Sequence, residues 1–159
     1  MPSKSKEVEV TTLCLSIIRE MTINEIQEEI IEEFAGFEDW MDKYAYLIEL
    51  GTDLQGLDEQ YQTDQNLIKG CQSKVWFNAS LEEGKVKLEA DSDAIIVKGI
   101  AALLIRVFNN QTPEDIMNAD LNFIDEIGLK QHLSPTRSNG LVSMVKQIKM
   151  YGIAFNHVK

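Results

Sequence analysis

The sequence predicts an α+β fold: a single compact domain with a small antiparallel sheet, a β-hairpin, packed against helices. Three observations predict it. Val75, Phe77, Ala79 and Leu81 alternate with polar residues, Glu82-Glu83-Gly84 turns the chain, and Val86, Leu88 and Ala90 alternate back. That period of two is the pattern of a half-buried hairpin. Apolar residues at helical spacing flank the hairpin on both sides. One segment, Ala94 to Phe108, is apolar nearly all round, as suits a buried central helix lying on the sheet. A chain of 159 residues is long enough for one sizeable core.

Residues 1–21 read differently from the rest. Val8, Val10 and Thr12 alternate, and Leu13 to Ile18 is almost continuously apolar. They are expected to form an extension outside the core, which then spans residues 22–155 and leaves 156–159 as a tail. Thr22-Ile23-Asn24-Glu25 has the form of a capping box. Ile23, Ile26, Ile30, Ile31 and Phe34 follow at helical spacing, with Glu28, Glu29, Glu32 and Glu33 opposite, and Gly36 ends the helix. A second helix is predicted from about Phe37, with Trp40, Met41, Tyr44, Leu47 and Ile48 as its apolar stripe and Gly51 as its C-cap. Thr52 to Asn66 has no period and reads as a loop.

After the hairpin, Asp91-Ser92-Asp93 offers caps for the Ala94–Phe108 helix. Gly99 would let another element come close. Thr112-Pro113-Glu114-Asp115 starts a short helix running to about Asn118. Leu121 to Ile127 reads as another, closed by Gly128. Ser134 can cap a last helix with Pro135 at its first position, and Leu141, Met144, Val145, Ile148 and Tyr151 form its stripe. Gly140 inside that helix costs about 1 kcal/mol relative to Ala. Either something packs close there or the helix starts later than Ser134.

The net charge of −11 opposes non-specific nucleic-acid binding, which needs cations to neutralise phosphates. Proteins or small molecules are the expected partners. Cys14 and Cys71 are too few for a disulfide framework or a four-thiolate metal site, and two unpaired thiols suit a reducing cytoplasm. The longest apolar run is shorter than a membrane span and contains Lys98 and Arg106, so no membrane segment is expected. Glu7 and Glu9 interrupt the start of the chain and no small-residue cleavage site follows, unlike a secretory signal.

The stretch with the clearest chemical content is Leu67-Ile68-Lys69-Gly70-Cys71-Gln72-Ser73-Lys74-Val75-Trp76. Its thiol lies in a loop just before a strand, with a lysine on each side. A thiol reacts as thiolate, and nearby cations favour that form. A free cysteine also packs well as a small inert hydrophobe, so the residues alone leave both readings open. His132 could serve Cys71 as a base in a cysteine hydrolase, or simply end a helix. Arg137 could hold an anion or be a solvated helix-start residue. Cys71, His132 and Asp93 together could make a mixed metal site. His157 reads as incidental. No phosphate-binding Gly-rich loop and no H-E-x-x-H pattern occurs.

These same residues carry a resemblance. Leu67–Trp76 resembles the I-x-G-C-Q-S-x-V-W motif of the SufE family, sulfur acceptors of iron–sulfur cluster assembly. Asp91-Ser92-Asp93-Ala94-Ile95-Ile96-Val97-Lys98-Gly99 and His132-Leu133-Ser134-Pro135-Thr136-Arg137-Ser138-Asn139-Gly140-Leu141 resemble two further family segments, in the same order. The resemblance implies a SufE/IscU-like fold. It implies that Cys71 takes persulfide sulfur from a pyridoxal-phosphate-dependent, SufS-like cysteine desulfurase, stimulates that enzyme, and delivers sulfur to a SufBCD-like scaffold complex. The chain would be an accessory sulfurtransferase rather than a free-standing enzyme. It would hold no cofactor or metal of its own, since the pyridoxal phosphate belongs to the desulfurase. Gly70, Gln72, Asp93, His132 and Arg137 are the implied supporting residues, with Asp93 as a helix cap holding the thiol loop and Arg137 as an anchor or thiolate partner. Homodimerisation is left open. The alternatives are an IscU-like metal or iron–sulfur scaffold and a hydrolase using Cys71.

Overall fold

A computed structural model describes residues 21–70 and 73–157. Residues 1–20 of the predicted extension, with Cys14, therefore lie outside the described residues. The Thr22 hydroxyl accepts from the Glu25 N–H at 3.1 Å and starts α1 (Ile23–Ala35), which ends at Gly36 as expected. Its apolar stripe is buried through Ile23, Ile30 and Phe34.

Helix α2 (Trp40–Asp53) differs from the sequence reading at both ends. It starts three residues late because Asp39 caps it, accepting from the Met41 N–H. Phe37 stays outside the helix, where its ring packs against Phe34 and Tyr46 with centroids 6.3 and 5.2 Å away. The helix also runs through Gly51 instead of stopping there. Gly51 is where α2 crosses α3 (Ile95–Phe108). A Cβ on Gly51 would lie 2.7 Å from the Gly99 nitrogen, and one on Gly99 would lie 2.2 Å from the Leu47 carbonyl oxygen. Gly51 is thus a packing glycine, and the approach expected at Gly99 is made by α2.

The loop after α2 contains one 3-10 turn at Glu59–Tyr61. Strands β1 (Val75–Glu82) and β2 (Lys85–Ser92) pair antiparallel, from Val75 opposite Ser92 to Glu82 opposite Lys85. Glu83 and Gly84 form the two-residue turn with φ of 53° and 79°, both left-handed, as a type I′ hairpin requires. Val75, Phe77, Val86, Leu88 and Ala90 turn inward, and α3 covers that face. Ile100, Leu103, Leu104, Val107 and Phe108 make α3 the centre of the core.

The rest of the chain closes over α3. Helix α4 (Pro113–Met117) starts as predicted, with the Thr112 hydroxyl accepting from the Asp115 N–H. Helix α5 (Phe123–Glu126) is shorter than its apolar pattern suggested. The buried Gln27 side chain accepts from the Asn122 and Phe123 N–H groups at 2.9 and 3.1 Å and donates to the Asp120 carbonyl at 3.0 Å. That holds residues 120–122 out of the helix. A short α6 (Leu129–His132), not anticipated, follows Gly128. Ser134 caps α7 (Pro135–Asn156), so the helix starts where its cap predicts and Gly140 is buried within it. His157 is the C-cap of α7. No helix among the described residues is long and apolar enough to cross a membrane.

One ion cluster ties α1 to α3. Arg106 donates to Glu33 at 2.9 Å and to Glu29 at 3.0 Å, and the Tyr46 hydroxyl also donates to Glu33. The Arg106 hydrogen bond, helped by the one from Tyr46, outweighs burial and holds the Glu33 carboxyl below its ordinary 4.5. A lowered folded value means the pair stabilises above that ordinary value and weakens as pH falls through the folded one. The site is about a third exposed, so its worth is modest. Arg106→Gln is expected to cost about 1 kcal/mol at neutral pH. The gap from wild type, measured by urea unfolding, should shrink as the pH falls below the glutamate range.

Candidate functional site

Cys71 and Gln72 lie outside the described residues, but the chain is fixed on both sides of them. Upstream, the Ile68 N–H donates to the Val75 carbonyl at 2.8 Å, the Phe77 N–H to the Asn66 carbonyl at 3.0 Å, and Leu67 bridges Trp76. Leu67 and Ile68 are thus an added antiparallel step on β1. Downstream, the Lys74 N–H donates to the Asp93 carboxylate at 3.0 Å, and the Lys74 carbonyl accepts from the Asp93 N–H and the Ser92 hydroxyl at 3.1 and 2.7 Å. Residues 67–68 and Lys74, on either side of Cys71 and Gln72, are therefore held by one hairpin and the residue that follows it. Gly70 and Ser73 are the described residues that bracket Cys71 and Gln72.

The Asp93 carboxylate holds the Lys74 N–H, and it is not the helix cap expected of it. Ala94 is the N-cap of α3 and has no side-chain acceptor to offer, while the carboxylate of Asp93 is turned to Lys74. The Ser92 hydroxyl takes the neighbouring duty and accepts from the Ala94 N–H at 3.2 Å. Asp91 secures the preceding loop. It accepts from the Leu57 and Ser92 N–H groups and pairs with Lys98 at 3.3 Å. Burial alone would raise the Asp91 carboxyl, but these hydrogen bonds and Lys98 bring it below its ordinary value. Asp93→Ala removes the acceptor of the Lys74 N–H, so hydrogen exchange at that amide should speed up by about tenfold. NMR exchange measurements check this, and Asp93→Asn should stay close to wild type.

Gly70 has φ of +90°, where side-chain-bearing residues are strained, and a Cβ there would sit 3.1 Å from the Ser143 hydroxyl of α7. Sequence reading missed Ser143 because 73 positions separate it from Gly70, and nothing in its local pattern marks it. Lys69 and Lys74 are exposed on either side of the thiol position.

The two other predicted residues form a separate cluster. The His132 ring stacks on Trp40 with centroids 4.1 Å apart and an interplanar angle of 16°. Arg137 donates to the Tyr44 hydroxyl at 3.1 Å, which anchors the start of α7 to α2. Its partner is the tyrosine of a stripe read from sequence as core. Among the described residues, no group of three His, Cys, Asp or Glu side chains is placed to share a metal ion.

Comparison with solved structures finds the same fold in a hypothetical protein from Thermus thermophilus, known from its solution structure. The two share 21% identity and a TM-score of 0.68, over 81% of this chain and 94% of that one. Comparison with protein families matches residues 28–152 to SufE, the Fe-S metabolism associated domain. The match takes in the thiol loop, its Asp93 latch and the Arg137 anchor, and on that basis the chain belongs to the SufE family.

Proposed function

We propose that this protein is a sulfur acceptor that carries one sulfur atom on Cys71 between a cysteine desulfurase and an iron–sulfur assembly scaffold. The observation that supports this most is the holding of residues 67–68 and Lys74 by one hairpin, on either side of Cys71 in the sequence and within the family match, with Lys69 and Lys74 exposed. The Cys71 thiolate attacks the terminal sulfur of the desulfurase persulfide. A sulfur–sulfur bond forms at Cys71 as the desulfurase's own sulfur–sulfur bond breaks, and the desulfurase cysteine leaves as thiolate. The sulfane sulfur moves with no net oxidation or reduction. Lys69 and Lys74 favour the attacking thiolate, and the held ends present it without ordering the whole loop on each encounter. Gly70, which needs no side-chain room, gives the thiol a pivot between sheltered and extended positions.

The pyridoxal phosphate of the first step belongs to the desulfurase, and the chain needs no cofactor of its own. His132 and Arg137 are positioning residues in this reading, packing α6 and α7 onto α2. The test is to incubate the protein with a pyridoxal-phosphate-dependent cysteine desulfurase and cysteine, then map mass by peptide. Cys71 is expected to gain the mass of one sulfur atom, removable by a thiol reductant. A Cys71 peptide of unchanged mass overturns the reading.

A further inference from the structure

The charge of the chain is divided sharply along its length. All 26 acidic residues occur by Glu126, and the 33 residues after it carry five of the fifteen cations and no acid. Helix α7 lies wholly in that cationic part. Its outward face is also unusually apolar: Val142, Met150 and Ile153 are 51%, 55% and 44% exposed. With Lys146 and Lys149 they fall on one side of the helix at about 3.6 residues per turn.

A groove borders this face on each side. One, of about 360 Å³, has Leu121, Ile124 and Val145 in its wall and Lys130, Lys146 and Lys149 at its rim, with Asp125 as its acid. Lys149 is tethered by donating to the Ala119 carbonyl. The other, of about 450 Å³, is lined by Ile68, Lys69, Ser143, Lys146 and Met150, with Asp64 as its acid. Lys146 stands between the two. The second groove includes residues immediately before Gly70-Cys71, so the face begins at the thiol loop and continues along α7.

We infer that this face of α7 docks an acidic, amphipathic segment of the sulfur-delivering protein; the inference rests on the function proposed above. Apolar side chains set among lysines fit a segment with carboxylates beside apolar residues. Phosphate backbones and anionic lipid surfaces fit less well, because both would be repelled by the acidic bulk of the molecule and gain little from three exposed apolar groups. A second copy of the chain would have to bring its acidic part to this cationic face. Two copies that each carry a net charge of −11 would meet there against their mutual repulsion.

The test uses the full chain, a cysteine desulfurase and cysteine, and reads the rate of sulfur loading on Cys71 against desulfurase concentration. Lys130→Glu/Lys146→Glu is expected to raise the half-saturating concentration by about tenfold, leave the saturating rate within about twofold, and lose most of the wild-type salt dependence. Thermal unfolding checks that the variant folds. Should it fail to fold, Lys130→Gln/Lys146→Gln replaces it, with about threefold expected. Normal loading by a folded variant overturns the docking face and leaves the sulfur-acceptor function standing. Normal loading with slow unloading to an acceptor assigns the face to the receiving partner and overturns the inference as stated. Salt-dependent self-association in sedimentation, lost in the variant, makes the occupant a second copy and also overturns it. Absence of sulfur on wild-type Cys71 overturns the proposed function, and this inference with it.

Discussion

Cys71→Ser is expected to abolish stimulation of a cysteine desulfurase, lowering turnover by about a hundredfold or to the level of the desulfurase alone. The change is small in size and keeps a polar side chain in the loop, so the fold has no reason to suffer. It removes the chemistry completely, because a serine hydroxyl stays protonated at neutral pH and cannot exchange into a sulfur–sulfur bond. The proper control is Cys14→Ser. Cys14 lies outside the family match, and its replacement should leave loading of Cys71 unchanged. Desulfurase turnover with each variant, measured beside the mass of the Cys71 peptide, separates the two thiols. Full stimulation by Cys71→Ser would show that the chain activates its partner by binding alone.

Gly99→Ala should produce the largest loss of stability. In an isolated helix this change would be favourable by about 1 kcal/mol, because alanine is the better helix former. Here the new Cβ would lie 2.2 Å from the Leu47 carbonyl oxygen and 2.8 Å from the Leu47 carbonyl carbon. Both are backbone atoms of α2 and cannot turn aside as a side chain would. The helices must separate, which opens the packing around Leu47 and Ile100, both essentially fully buried. Overpacking in a close-packed core costs about 1–3 kcal/mol and sometimes more, and the upper end is expected when backbone meets backbone. The urea midpoint should fall accordingly. Gly36→Ala provides the comparison: Gly36 has ordinary right-handed angles, and its added Cβ would meet only the Glu33 carbonyl oxygen at 3.4 Å. That variant should be neutral or slightly stabilised. A Gly99→Ala protein as stable as wild type would mean that α2 and α3 can slide apart at little cost.

Much of the fold was legible because the local signals agreed with the tertiary ones. The Glu83-Gly84 turn, the Thr112-Pro113 start and the Ser134-Pro135 start each appear where local chemistry places them. The misreadings have a common origin. Gly51 looks like a C-cap because glycine often ends helices, yet its neighbour in space is Gly99, 48 positions away. Asp93 looks like a helix cap, yet the backbone N–H of Lys74 competes for its carboxylate and wins. The helix over Leu121–Ile127 was shortened by Gln27, a side chain of α1 that lies 95 positions before Asn122. In each case a residue had two chemically reasonable partners, and only one of them was near in sequence.

The candidate site divides in the same way. Sequence alone determined that the chain is an α+β domain, that a strand follows Ser73-Lys74, and that three ordered motifs resemble those of one family. Periodicity, turn chemistry and residue identity are local, and they need no fold to be read. Only the tertiary structure decided that Leu67 bridges Trp76, that Lys74 donates to Asp93, that Gly70 faces Ser143, that His132 stacks on Trp40, and that Arg137 reaches Tyr44. Those pairings join segments many turns apart, and they form because burying α3 brings the two halves of the chain over one core. The division of charge after Glu126 was also present in the sequence, but it became a surface only when α7 set its lysines and apolar residues on one outward face beside the thiol loop.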